Sequence, residues 1–122
     1  MTLTEFLTAR IDEDEAAAKG VLNAPGYFQP VVWAYFDVDF GGLLESRYNE
    51  SGLGQPSRVL AECAAKRGAI EAAWADHCQI ESEWGTGKGR AQMEAAGDYP
   101  EVVQHLALPY ADHPDYQQEW KP

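Results

Sequence analysis

The sequence predicts a single α+β domain over residues 1–122. It is mostly helical, with a small antiparallel sheet packed on a long central helix and an extended C-terminal tail. Three observations carry this expectation. Apolar residues recur at helical spacing over two long stretches, about 3–19 and 56–83. One stretch, Tyr27 to Phe40, alternates in the manner of a strand. The last seventeen residues hold three prolines, two tyrosines and a tryptophan, whereas a chain end is ordinarily small and polar.

The first helix begins at Thr2-Leu3-Thr4-Glu5, a capping box in which the Thr2 hydroxyl and the Glu5 carboxylate satisfy each other's backbone N–H. Leu3, Leu7, Ile11 and Ala18, with Phe6 beside them, form its apolar stripe, and Gly20 is a suitable terminator. Asp12 to Glu15 are consecutive, so they point in different directions and read as a solvated face rather than a metal cluster. Asn23-Ala24-Pro25-Gly26 signals a turn.

Beyond it, Val32, Ala34, Phe36, Val38 and Phe40 share one strand face. Gly41-Gly42 offers a hairpin turn and Leu43 to Tyr48 a returning strand, so strands are expected over about 27–48. So few strands need helices to cover them. Pro56 suits the first position of the central helix, whose stripe is Val59, Leu60, Cys63, Ile70 and Trp74, and Gly68 is its weak point. A short helix fits about 90–96 and a better-supported one about 100–107, stopped by Pro109. Pro109 and Pro114 bias the residues before them to extended geometry, so a docked tail is expected over 108–122.

Charge narrows the function classes. Nine basic residues stand against twenty acidic ones, and the net charge of −11 is spread over both halves of the chain. That field repels phosphate backbones and anionic membranes, which argues against direct nucleic-acid or membrane binding. Glu5, Arg10 and the acidic block interrupt the apolar residues near the N-terminus, so no signal peptide is read there. Two cysteines in such a chain suggest reduced thiols and a cytoplasmic location.

The chemical motifs are incomplete. Gly85-Thr86-Gly87-Lys88-Gly89-Arg90 looks like a phosphate loop, but a P-loop needs GxxxxGK followed by Ser or Thr, after a strand. Here Ser82 takes the place of the first glycine, Gly89 follows the lysine, and a helix precedes the loop. Cys63 and Cys78, fifteen residues apart on one helix, would lie about 22 Å apart and share neither zinc nor a disulfide. Asp76 with His77, or Asp112 with His105 and His113, lack the third group that orients a catalytic pair. Asp37 and Asp39 fall on one strand face about 7 Å apart, which with a third ligand would hold a divalent cation.

Three segments stand out: Met1–Leu7 with Ala9-Arg10-Ile11 and Glu13-Asp14-Glu15, then Arg58–Cys63 with Ala65-Lys66-Arg67, and Leu106–Tyr116 with Glu119-Trp120. Together they resemble an uncharacterised family, a domain of unknown function found in small actinobacterial and actinophage proteins. Similar proteins carry a His-x-x-Pro-like approach to the central helix, where this sequence has Gly54-Gln55-Pro56. The resemblance implies a compact intracellular protein of such a host or its phage, and brings no activity, substrate or catalytic residue.

The function these features favour is that of a non-enzymatic acidic protein acting through protein–protein interaction, as a phage-encoded accessory would. Tyr110, Tyr116 and Trp120 of the tail are its candidate partner-binding residues, because aromatic side chains dominate interface hot spots. The partner is an unknown protein, and a homodimer through a strand edge or the tail also fits. No cofactor, metal ligand or catalytic residue is assigned. Two alternatives remain: an acidic DNA mimic that inhibits a nucleic-acid-binding enzyme, and a divalent-metal-dependent hydrolase using Asp37 and Asp39.

Overall fold

The computed structural model describes residues 1–23 and 56–122. Among them four α-helices follow in order: α1 (Leu3–Leu22), α2 (Pro56–Trp84), α3 (Arg90–Ala95) and α4 (Glu101–Ala107). Two 3-10 turns, Leu108–Tyr110 and Gln118–Trp120, complete the chain. About 76% of the described residues are helical and none lies in a strand.

The α+β class expected from sequence is therefore corrected to all-α over the described residues. The strands expected over about 27–48 lie outside them. The central helix does not depend on a sheet for cover where its surroundings are described. Ile70 and Trp74 of α2 are buried, and the groups around the Trp74 indole are Thr4, His77, Arg90 and Tyr99. Around Trp74 the cover comes from α1, from α3 and from the segment that joins α3 to α4.

Two units are distinguished, one made of Met1–Ile11 with Ala65–Pro122 and the other of Asp12–Ala64. In the first, α1 begins as its capping box requires. Thr2 N–H donates to Glu5 Oε2 at 2.8 Å, and Glu5 N–H donates to Thr2 Oγ1 at 3.1 Å. The next unsatisfied donor, Leu3 N–H, reaches the Tyr99 hydroxyl at 3.3 Å, which itself donates to the Glu94 carbonyl at 3.3 Å. Below these caps Leu3, Phe6 and Leu7 are fully buried, together with Met93 of α3 and Val103 and Ala107 of α4. The Trp74 indole N–H donates to Thr4 Oγ1 at 3.1 Å, which pairs two polar atoms inside this core.

Helix α3 ends in a Schellman motif. Asp98 N–H bonds to the Met93 carbonyl at 2.9 Å and Gly97 N–H to the Glu94 carbonyl at 3.1 Å. Gly97 takes φ +73°, which a residue with a Cβ rarely adopts.

The tail is also corrected. Leu108 has φ −56° and ψ −40°, helical rather than extended, despite preceding Pro109. Pro109 sits in the first positions of a 3-10 turn, where its missing N–H has no partner to lose. Bonds of 3.0 Å from Ala111 to Leu108, His113 to Tyr110, Tyr116 to His113 and Trp120 to Gln117 then wind the tail into successive three-residue turns.

In the second unit, the described parts are the later turns of α1 and the first turns of α2. Glu15 and Lys19 pair at 2.6 Å, and Arg58 and Glu62 at 3.0 Å, both at helical i,i+4 spacing. Such exposed pairs contribute a few tenths of a kcal/mol each. Ala18, Val59 and Cys63 are buried. Helix α1 runs through Gly20, and Asn23 N–H closes on the Lys19 carbonyl at 3.0 Å.

Candidate functional site

The structure separates the three tail aromatics. Tyr116 and Trp120 are 7% and 4% exposed, and both turn inward onto Phe6. Phe6 meets Tyr116 edge-on at 5.8 Å between ring centres and Trp120 at 5.2 Å, while Tyr116 and Trp120 meet edge-on at 5.6 Å. Edge-to-face rings at these distances attract through their quadrupoles as well as their buried area. His113 adds a fourth ring at 5.5 Å from Phe6, and its Nε2 meets the Arg10 guanidinium. Tyr110 lies half-buried, with Lys66 Nζ donating to its hydroxyl at 3.3 Å.

Burial pushes the Tyr116 hydroxyl above the ordinary tyrosine pKa, because the phenolate would lose its hydration. Among the described residues that buried hydroxyl has no hydrogen-bond partner. Tyr116 and Trp120 therefore hold the core of their unit together, and Tyr110 is the tail aromatic with an open side.

The other sequence candidates fall into structural pairs. His77 bonds to Asp98 at 3.0 Å, not to Asp76, and its ring meets the edge of Trp74 at 5.7 Å. His105 bonds to Glu101 at 3.3 Å, one turn back on α4. Cys63 is buried and Cys78 half-buried, and neither is in a disulfide. Asp37 and Asp39 lie outside the described residues, and among those described no group of three or more His, Cys, Asp or Glu converges on a metal position.

The glycine loop after α2 has a carboxylate of its own. Glu81 Oε1 accepts from Thr86 N–H at 3.0 Å and from Thr86 Oγ1 at 2.9 Å. These bonds from Thr86, more than Lys88 nearby, hold the Glu81 carboxyl below the usual carboxylate range. Amide donors that would face a phosphate in a nucleotide loop serve here to close the end of a helix.

A groove of about 520 Å³ lies between the start of α1, the end of α3 and the last turn, lined by Thr2, Glu94, Gly97, Tyr99 and Trp120. Its Tyr99 hydroxyl is committed to the Leu3 amide and the Glu94 carbonyl.

The feature that sequence reading passed over is at the C-terminal end of α2. Trp84 is 85% exposed and Ile80, one turn earlier on the same side, is 60% exposed. Ten residues separate Ile70 from Ile80 and Trp74 from Trp84, about 80° short of three full turns. The outer pair is thus rotated away from the buried pair. Asp76 and Glu83 border it on one side, His77 and Glu81 on the other, and Asp76 and Glu83 are exposed. That offset was available in the sequence.

Over its described residues the chain is an all-α protein with an aromatic-locked core and an apolar patch at one helix end. It belongs to the DUF6221 family, a family of unknown function, whose sequence profile matches residues 1–122. No curated protein and no solved structure matches it. Among the described residues no helix is long and apolar enough to cross a membrane.

Proposed function

We propose that this chain is a non-enzymatic acidic protein that acts by binding another protein. The observation that carries this reading is the exposed Trp84–Ile80 pair. Tryptophan is the residue type most enriched at interface hot spots, and a water-facing tryptophan adds nothing to the fold it stands on. The net charge of −11 favours a protein partner over a nucleic acid or an anionic membrane. A phage-encoded accessory protein is the form of this reading that the sequence resemblance supports.

The test is capture from host extract on immobilised wild-type protein and on Trp84→Ala. A partner retained by the first and lost by the second, with unchanged helical circular dichroism, is the expected result. Identical retention on both, or no specific retention on either, would remove this patch as the binding surface.

A further inference from the structure

We infer that the Ile80–Trp84 patch takes a partner surface in which an apolar pocket is bordered by lysine or arginine side chains. This rests on the interaction reading above and adds the chemistry of the partner. The apolar centre is set by Trp84 and Ile80, at 85% and 60% exposure one helical turn apart. Its border is set by carboxylates. On a helix, Asp76 lies one turn before Ile80, and Glu83 lies three residues after it and beside Trp84.

Among the described residues neither carboxylate is paired with a cation. Glu83 accepts a hydrogen bond from the neutral amide of Gln79 at 3.0 Å, and Lys88, four residues beyond Trp84, acts on Glu81. A partner that buries Trp84 must also face Asp76 and Glu83. Cations there would gain attraction, whereas an uncharged or acidic rim would leave the carboxylates desolvated or repelled.

The same argument disfavours a second copy of this chain as the occupant. Two copies meeting through this patch would bring Asp76 and Glu83 of each against the like charges of the other, on molecules that each carry −11.

The experiment uses two amphipathic helical peptides as probes, one built from leucine and lysine and one from leucine and glutamate. Binding is read by isothermal titration at low and at about 0.5 M salt. The Leu/Lys peptide should bind wild type and weaken at least tenfold on Trp84→Ala, beyond the general attraction of an acidic protein for a basic peptide. The Leu/Glu peptide should not bind. Exchanging the border charges in an Asp76→Lys, Glu83→Lys double variant should reverse the preference; Glu81 is left intact because it closes the loop.

Equal binding of the Leu/Lys peptide to wild type and Trp84→Ala would overturn the inference, as would preference for the Leu/Glu peptide or concentration-dependent dimerisation abolished by Trp84→Ala. The two readings fail separately. Loss of a captured partner on Trp84→Ala without any lysine preference removes the partner chemistry alone. Indifference of both capture and peptide binding to Trp84→Ala removes both.

Discussion

Replacing Tyr116 by phenylalanine should make the protein more stable. The ring is held edge-on between Phe6 and Trp120, and phenylalanine preserves those contacts. What the substitution deletes is one hydroxyl, buried without a hydrogen-bond partner among the described residues. Burying a hydroxyl uncompensated costs roughly 1–3 kcal/mol in proteins. Allowing for the small void left behind, a gain of about 1 kcal/mol is expected, a rise of roughly 4 °C in Tm for a chain of this length. Tyr116→Ala supplies the contrast, since loss of the whole ring should cost about 3–5 kcal/mol.

The pH dependence gives a second handle on the same atom. The pKa is raised in the folded state, so wild-type stability from this group is complete below the unfolded tyrosine pKa and declines as pH rises above it. The advantage of phenylalanine should therefore widen in alkali. Urea denaturation at neutral and alkaline pH measures both effects. A loss of about 1 kcal/mol in Tyr116→Phe at neutral pH would refute the reasoning, because it would mean that the hydroxyl has a partner worth keeping.

Thr4→Val keeps the side-chain shape but removes the acceptor of the Trp74 indole, and should cost about 1–3 kcal/mol in urea denaturation. Gly68 is exposed inside α2 with open space where a Cβ would stand, so Gly68→Ala should add about 0.5–1 kcal/mol to the thermal stability. Gly97→Ala forces a side chain into positive φ at the end of α3 and should cost about 1 kcal/mol by the same assay. The carboxyl of Glu81 has a lowered pKa, so its hold on the loop is complete above the ordinary carboxylate range and fades as pH falls through the lowered value. The hydrogen-exchange protection factor of the Thr86 amide, taken relative to the intrinsic rate at each pH, should fall in acid for wild type and be low at every pH in Glu81→Ala.

What could be read from the sequence follows the range of the forces involved. The Thr2–Glu5 cap is a four-residue affair, and both of its bonds are present. The central helix, expected over about 56–83, is observed over Pro56–Trp84, and the two short helices lie within a residue of the expected spans. The tail failed for the opposite reason. The bias of Leu108 against helical geometry is a local preference, and it yields when Tyr116 and Trp120 gain a ring cluster with Phe6, more than a hundred residues away.

The expectation that a sheet covers the central helix rested on the alternation of Tyr27 to Phe40, and periodicity shows that a face is buried and not what buries it. Trp74 is covered from α1, α3 and the segment joining α3 to α4. The candidate site was half legible. Of the three tail aromatics singled out as partner-binding, Tyr116 and Trp120 are buried against Phe6. Trp84 was legible by helical arithmetic, and was missed because the central helix was expected to end at about 83, which left Trp84 to the glycine loop.

The meeting of Phe6 with Trp120 also sets an order of events at the ribosome. Those residues are 114 positions apart in the chain. At about 5–20 residues per second, Phe6 leaves the synthesis site roughly 6–20 s before its last ring partner exists. Throughout that interval the greasy side of the leading helix, Leu3, Phe6 and Leu7, has no mate from the tail. The capping box lets that helix begin alone, but its lock arrives last. This protein should therefore mature only after its final aromatic is released, and a nascent chain stalled before Tyr116 should be the form that chaperones and proteases recognise.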